Sequence, residues 1–170
     1  NLGVNNYFPT RVRAARDGED GSNPMPGCDG VIELAPQGPL TAMGWEQSPK
    51  SHQLIIERSA RESGLPIYIT ENGSAWEDTV SDDGAVHDPE RANYLHEHLG
   101  AVADAIEGGT DVRGYFAWSL LDNFEWAYGY DKRFGIIHVD YDTQKRTIKD
   151  SGLEYAQIIA NEHARTRGDR

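Results

Sequence analysis

Apolar and polar positions along the chain switch between a two-residue and a 3.6-residue period, and the switches mark strand–helix repeats. The opening run, Asn1-Leu2-Gly3-Val4-Asn5-Asn6-Tyr7-Phe8, is apolar and strand-like with no initiator Met, as expected of a chain that starts mid-fold. From Asp17 to Pro39 the chain is polar and punctuated by Gly and Pro, which predicts a long loop without regular elements. Ser48-Pro49 offers an N-cap and a proline for the first helical turn, and the segment through Leu54, Ile55 and Ala60 runs to a C-terminal stop at Gly64.

The pattern then repeats. Pro66-Ile67-Tyr68-Ile69-Thr70 reads as a short strand, and Asp88-Pro89-Glu90 is expected to cap a second helix. Its apolar stripe comprises Ala92, Leu95, Leu99, Val102, Ala103 and Ile106, and Gly108-Gly109 ends it. A third strand reads Gly114-Tyr115-Phe116-Ala117-Trp118-Ser119. An aromatic loop follows, then a hairpin around Gly135 to Ile148, then a last helix in which Ser151 and Glu154 fit a capping box.

Three β/α units in succession imply an α/β fold with a parallel sheet, either doubly wound or closed into a barrel. No glycine-rich phosphate loop follows a strand, so the barrel is favoured. A complete (β/α)8 TIM barrel takes ~250 residues. About three of its units are expected here, so most of the barrel is absent from this sequence.

Charge and composition narrow the partners. The 170 residues carry a formal net charge of −12, which repels nucleic acid and anionic membrane surfaces alike. No apolar run approaches the ~18–20 residues of a membrane span, and a soluble protein in the cytoplasm is expected. The single Cys28 cannot form an internal disulfide and has no Cys or His neighbour to make a metal site. His96 and His98, two apart on a helix, do not share a face, so no metal is expected. Asp82-Asp83-Gly84 and Asp140-Tyr141-Asp142 read as turns.

Candidate chemistry gathers where the strands end: Asn5 and Tyr7 after the first, Glu71 and Asn72 after the second, Ser119 to Trp126 after the third. In a (β/α)8 barrel that is the active-site face. Taken alone, Glu71 reads equally well as a turn residue beside Asn72-Gly73. In isolation Trp118 and Trp126 read as core aromatics, Glu125 as a solvated carboxylate, and Tyr7 as a ring filling the barrel end.

The motifs together are more specific. Ile69-Thr70-Glu71-Asn72-Gly73 resembles the nucleophile motif of glycoside hydrolase family 1. Leu2-Gly3-Val4-Asn5-Asn6-Tyr7 is similar to the family's strand-six segment, with Asn6 where the family commonly has Tyr. Trp118-Ser119-Leu120-Leu121-Asp122-Asn123-Phe124-Glu125-Trp126 resembles its strand-eight sugar-binding motif, and Arg133-Phe134-Gly135 follows in the same order. The resemblance implies the C-terminal part of a barrel, strands six to eight, with residues 1–170 forming a partial glycosidase domain.

It also implies roles. Glu71 would be the nucleophile of a retaining β-glucosidase and Tyr7 would orient it. Asn5, Trp118, Glu125, Trp126 and Phe134 would bind the sugar, and Trp45 would lie on the aglycone side. The expected substrate is a β-glucoside or cello-oligosaccharide with a terminal β-D-glucosyl group, with galactosyl or fucosyl groups as further possibilities. Retention needs a second carboxyl group roughly 5–5.5 Å from the first. The family supplies it from a Thr-x-Asn-Glu-Pro motif, and no Asn-Glu-Pro occurs in this sequence. The expected partner is therefore the N-terminal barrel segment, and no cofactor is implied. Family members acting on 6-phosphorylated glycosides typically carry Ser, Lys and Tyr at the positions of Glu125, Lys132 and Phe134; only Lys132 agrees, so a neutral sugar is expected. Two other classes stay open: a non-catalytic sugar-binding relative, and a fragment acting as a structural or assembly module.

Overall fold

The computed structural model describes residues 1–22 and 27–168; residues 23–26, inside the loop expected from Asp17 to Pro39, lie outside the described residues. In chain order the elements begin with β1 (Leu2–Asn5), β2 (Val12–Ala14), β3 (Val31–Glu33), α1 (Pro49–Ser63), β4 (Ile67–Asn72) and α2 (Pro89–Glu107). They continue with β5 (Val112–Ala117), a short 3-10 turn (Trp126–Tyr128), β6 (Ile137–Val139), β7 (Arg146–Ile148) and α3 (Asp150–Gly168). Strands β1, β4 and β5 form one parallel sheet in that order, with Val4 beside Ile69 and Ile69 beside Tyr115. The expected alternation of strand and helix is what the structure shows.

The strand pleat separates two faces. Val4, Ile67 and Ile69 point to the helices and meet Ile56 of α1 with Val102 and Ala105 of α2 in the core. The opposite face carries Tyr68, Thr70 and Phe116; Phe116 is 58% exposed. Two glycines belong to that face. A Cβ at Gly114 would fall 2.7 Å from the Tyr68 ring, and one at Gly3 would fall 3.2 Å from the Thr70 hydroxyl.

Helix α1 follows its sequence signals. The Ser48 hydroxyl accepts the Ser51 N–H at 3.4 Å, proline opens the first turn, and Gly64 stops the helix in the left-handed region at φ 66°.

Five expectations need correction. The loop from Asp17 to Pro39 contains β3, because the β-branched pair Val31-Ile32 finds an antiparallel partner in Val12–Ala14. The buried stripe of α2 keeps the expected Ala92, Leu95 and Val102 but also takes in Arg91, Tyr94, His98, Ala101 and Ala105, while Ala103 and Ile106 face solvent. Three polar residues join it because each has a partner inside the protein. Asp88 stands at the N-cap of α2 but makes no cap bond there. Instead it accepts the Ser151 N–H at 2.9 Å and the Ser151 hydroxyl at 2.6 Å, so it serves the first turn of α3. The Ser151–Glu154 capping box is therefore not formed: α3 starts at Asp150 and Ser151 lies inside it. Finally, β5 ends at Ala117, two residues before Ser119, and the Trp118–Ser119 peptide, which is cis, leaves the sheet.

Candidate active site

Strand register brings the first group of residues together. Asn5 pairs with Glu71 across β1 and β4, and Asn72 pairs with Ala117 across β4 and β5, so all stand at the same C-terminal edge. The ladder slips between Val4 and Asn5, and the chain turns away from the sheet at Asn6 and Tyr7. The Tyr7 hydroxyl then donates to Glu71 Oε2 at 2.7 Å. Burial, this bond, and the charges of Glu71 and Glu125 push the Tyr7 phenol well above its ordinary pKa, so it stays a donor.

Asn72, fully buried beside Glu71, fastens the edge. Its amide donates to the Asn6 carbonyl at 2.8 Å and to the Tyr94 hydroxyl at 3.0 Å, and its oxygen accepts from Tyr115 at 2.7 Å. Gly73 follows because nothing larger fits: a Cβ there would sit 1.8 Å from the Trp118 carbonyl oxygen. Trp118 N–H in turn donates to the Asn72 carbonyl at 2.8 Å, tying the aromatic loop to the Glu71 strand.

Aromatic rings wall one side. Trp45 lies 5.4 Å from the Tyr7 ring, 4.8 Å from Phe8 in a stacked pair, and 5.9 Å from Phe134. Phe134 meets Tyr7 edge-on at 6.2 Å and is 1% exposed, so within this chain it backs the wall and does not face an open pocket. Asn5 is exposed and accepts a 2.6 Å bond from the Thr70 hydroxyl.

The loop after β5 presents the remaining residues unequally. Glu125 is buried and accepts from the Asn123 amide at 3.1 Å, Trp118 is half-buried, and Trp126 is 81% exposed with φ 45°. A left-handed backbone at a tryptophan is uncommon and marks a position held by its surroundings. Tyr7, Glu71 and Trp45 thus share direct contacts with one another or with Phe134. Among the described residues no hydrogen bond or ring pair links Trp126 to them.

A buried ionic cluster fixes this loop, and the sequence reading missed it. Lys149, with no side-chain exposure, bonds Asp78 at 2.5 Å and Asp122 at 2.8 Å. Arg91 bonds Asp78 at 2.7 Å and also bonds Asp88, and Arg133 bonds Asp122 at 2.6 Å. Three cations and three carboxylates cancel. Burial alone would raise the Asp122 carboxyl, but Lys149 and Arg133 outweigh it and hold it below its ordinary value. Burial pulls the Lys149 ammonium down despite its two carboxylate partners. Asp122 also accepts the Gly135 and Val139 N–H groups, so the cluster shapes the loop between β5 and β6. The available signal was Arg91, which sits four residues before Leu95 on the apolar stripe of α2.

Glu71 itself is half-buried. A cleft of about 340 Å³ lies elsewhere, lined by Thr41, Trp76, Asp78 and His87. Among the described residues no group of three or more His, Cys, Asp or Glu side chains is arranged to hold a metal ion, and no helix is long and apolar enough to cross a membrane.

Comparison with known proteins places this geometry among relatives. The family model described as glycosyl hydrolase family 1 matches residues 1–164. Over 124 residues the chain is 54% identical to β-glucosidase A of Thermotoga maritima, covering 72% of this chain and 28% of that protein. It is 44% identical over 173 residues to a bifunctional β-D-glucosidase/β-D-fucosidase of Bifidobacterium breve, covering 96% of this chain and 38% of the relative. The solved family 1 β-glucosidase of Thermotoga maritima in complex with isofagomine lactam superposes with a TM-score of 0.84 at 46% identity, over 94% of this chain and 34% of that one. The chain thus spans about a third of the length of the proteins it matches.

Proposed function

Because the chain belongs to glycosyl hydrolase family 1 and forms about three β/α units of a (β/α)8 barrel, we propose that it supplies the nucleophile half of a retaining β-glucosidase. Residues 1–170 are then part of one barrel domain, completed by the segment that holds the second carboxyl group. The observation that carries the reading is the 2.7 Å bond from Tyr7 to Glu71 at the C-terminal edge of a parallel sheet.

The bond leaves the other carboxylate oxygen of Glu71 free of Tyr7 to attack the anomeric carbon. The aglycone oxygen leaves with a proton from the second carboxyl group, and a covalent glycosyl ester forms on Glu71. Water, deprotonated by that same second group, then releases the sugar and restores the carboxylate. Trp118 offers a flat apolar face for the sugar ring and Trp126 an indole N–H. Glu125 accepts from sugar hydroxyls, Asn5 reaches a hydroxyl, Phe134 backs the pocket, and Trp45 lies toward the aglycone. The substrates are β-glucosides and cello-oligosaccharides; the likeness to the bifunctional relative supports extending the glycone to fucosyl.

The test uses the full-length protein and an activated 2-deoxy-2-fluoroglucoside, which traps the ester. The label is expected on the peptide containing Glu71, and Glu71→Gln should remove both label and turnover. A label on another residue overturns the assignment. Sugar binding without labelling would favour a non-catalytic sugar-binding protein. The isolated 170-residue chain, lacking the second carboxyl group, is expected to leave an aryl β-glucoside intact.

A further inference from the structure

His52 is a buried residue of α1 that the reaction does not use. It is 1% exposed, and its Nδ1 lies 2.9 Å from Asn6 Oδ1. Its Nε2 is the buried side-chain polar atom without a hydrogen-bond partner among the described residues. The Asn6 oxygen can only accept, so Nδ1 carries the proton and Nε2 is a bare lone pair. With the amide reversed the roles exchange, yet one ring nitrogen still bonds Asn6 and the other stays unpaired. A leucine would fill the same space without an unpaired nitrogen. What His52 adds over leucine is the bond to Asn6.

Asn6 is where such a bond matters. The β1–β4 ladder has already slipped, so regular pairing no longer fixes the Asn6–Tyr7 backbone. Side chains and single contacts hold it instead: Asn6 N–H to the Glu71 carbonyl at 3.1 Å, Asn72 to the Asn6 carbonyl at 2.8 Å, and Tyr94 to the Tyr7 carbonyl at 3.2 Å. Tyr94 stacks on His98 at 3.7 Å, and His98 lies 5.5 Å from His52, which closes a buried ring beneath the Tyr7–Glu71 pair. Burial keeps both imidazoles neutral, which suits two rings at this spacing.

We propose that His52 is a positioning residue for the nucleophile: through Asn6 it fixes the turn that carries the Tyr7 hydroxyl onto the Glu71 carboxylate. This rests on the reading of Glu71 as the nucleophile. A turn displaced by a fraction of an ångström weakens the Tyr7–Glu71 alignment, and attack slows while the sugar contacts stay in place.

The experiment measures, in the full-length enzyme, the rate of covalent labelling by the fluoroglucoside and the affinity for a neutral, non-reacting inhibitor. His52→Leu is expected to slow labelling by at least ~10-fold while affinity stays within ~3-fold. His52→Asn sets an amide N–H where Nδ1 was and should restore labelling to within ~3-fold of wild type. Asn6→Ala should match His52→Leu, and the double variant should be no slower than either, because both remove one link. Wild-type labelling in His52→Leu, equal losses of affinity and labelling without rescue by Asn, or multiplying effects in the double variant would each overturn the proposal. If His52→Leu does not fold, wild-type labelling in Asn6→Ala overturns it and slowed labelling with His52→Asn near wild type supports it. Failure of the underlying reading is separate: the wild type itself would then not be labelled on Glu71.

Discussion

A carboxylate held at one oxygen by a tyrosine has a defined direction of attack. In the Tyr7–Glu71 pair the donor faces a charged acceptor, and such bonds are worth about 1.5–3 kcal/mol. Tyr7→Phe keeps the ring against Trp45 and Phe134 and removes the hydroxyl alone. In the full-length enzyme it is expected to lower kcat by ~10–100-fold with a smaller change in KM, measured on one aryl β-glucoside. A second expectation concerns Glu125. Its buried carboxylate would repel a 6-phosphate, and Lys132, the one residue shared with enzymes for phosphorylated sugars, is committed to the Ala42 carbonyl at 2.9 Å. Hence β-glucosides should be preferred to their 6-phosphates by at least ~100-fold in kcat/KM, equal to ~2.7 kcal/mol. Glu125→Ser with Phe134→Tyr should narrow the gap; equal use of both substrates by the wild type would count against Glu125.

Between elements, the cluster around Lys149 joins the start of α3, the start of α2 and the loops after β4 and β5. Removing one cation leaves buried carboxylates uncompensated, which typically destabilises by about 3–5 kcal/mol. Lys149→Met is therefore expected to lower the unfolding free energy of the full-length protein by that amount, read as a lower denaturant midpoint, and an unchanged midpoint would show the cluster to be dispensable. Apart from Arg91 on the apolar stripe of α2, none of this was legible in the sequence. The sheet strands β1, β4 and β5, α1 with Ser48, Pro49 and Gly64, and the β6–β7 hairpin were legible, because local spacing and turn chemistry decide them. The neighbours of Asp78, Asp88, Asp122 and Lys149 are set by how distant loops meet, and a charge on a loop looks solvated until its partners are placed. The same holds for Ser151, which resembles a cap in sequence and is itself held by a residue of another element.

At the scale of the molecule, burial of neutral histidines gives stability a pH dependence. Desolvation lowers His52 to about 3, helped by His98, and lowers His98 to about 4. The unfolded chain takes up protons below pH ~6.5 and the folded one does not. Stability therefore falls with pH from ~6.5 toward those values, by up to ~1.4 kcal/mol per pH unit for each group. His87 acts oppositely. Its bonds to Asp150 and Asp83 raise it, so its contribution is present at low pH and is lost as pH rises through its folded value. It is exposed, and the buried pair should dominate. The melting temperature is expected to fall between pH 7 and pH 5, and His52→Leu should flatten that profile; a profile unchanged by the substitution would remove His52 as its source.

The Asn72 carboxamide, bonded to Asn6, Tyr94 and Tyr115, has a consequence for inheritance. These three partners lie between Asn6 and Tyr115, one contiguous stretch of chain, so this part of the setting of Glu71 travels as a cassette. Recombination that exchanged this stretch between relatives would carry an aligned nucleophile into a new barrel intact. Selection could then reshape the rest of the barrel without disturbing the atom that attacks.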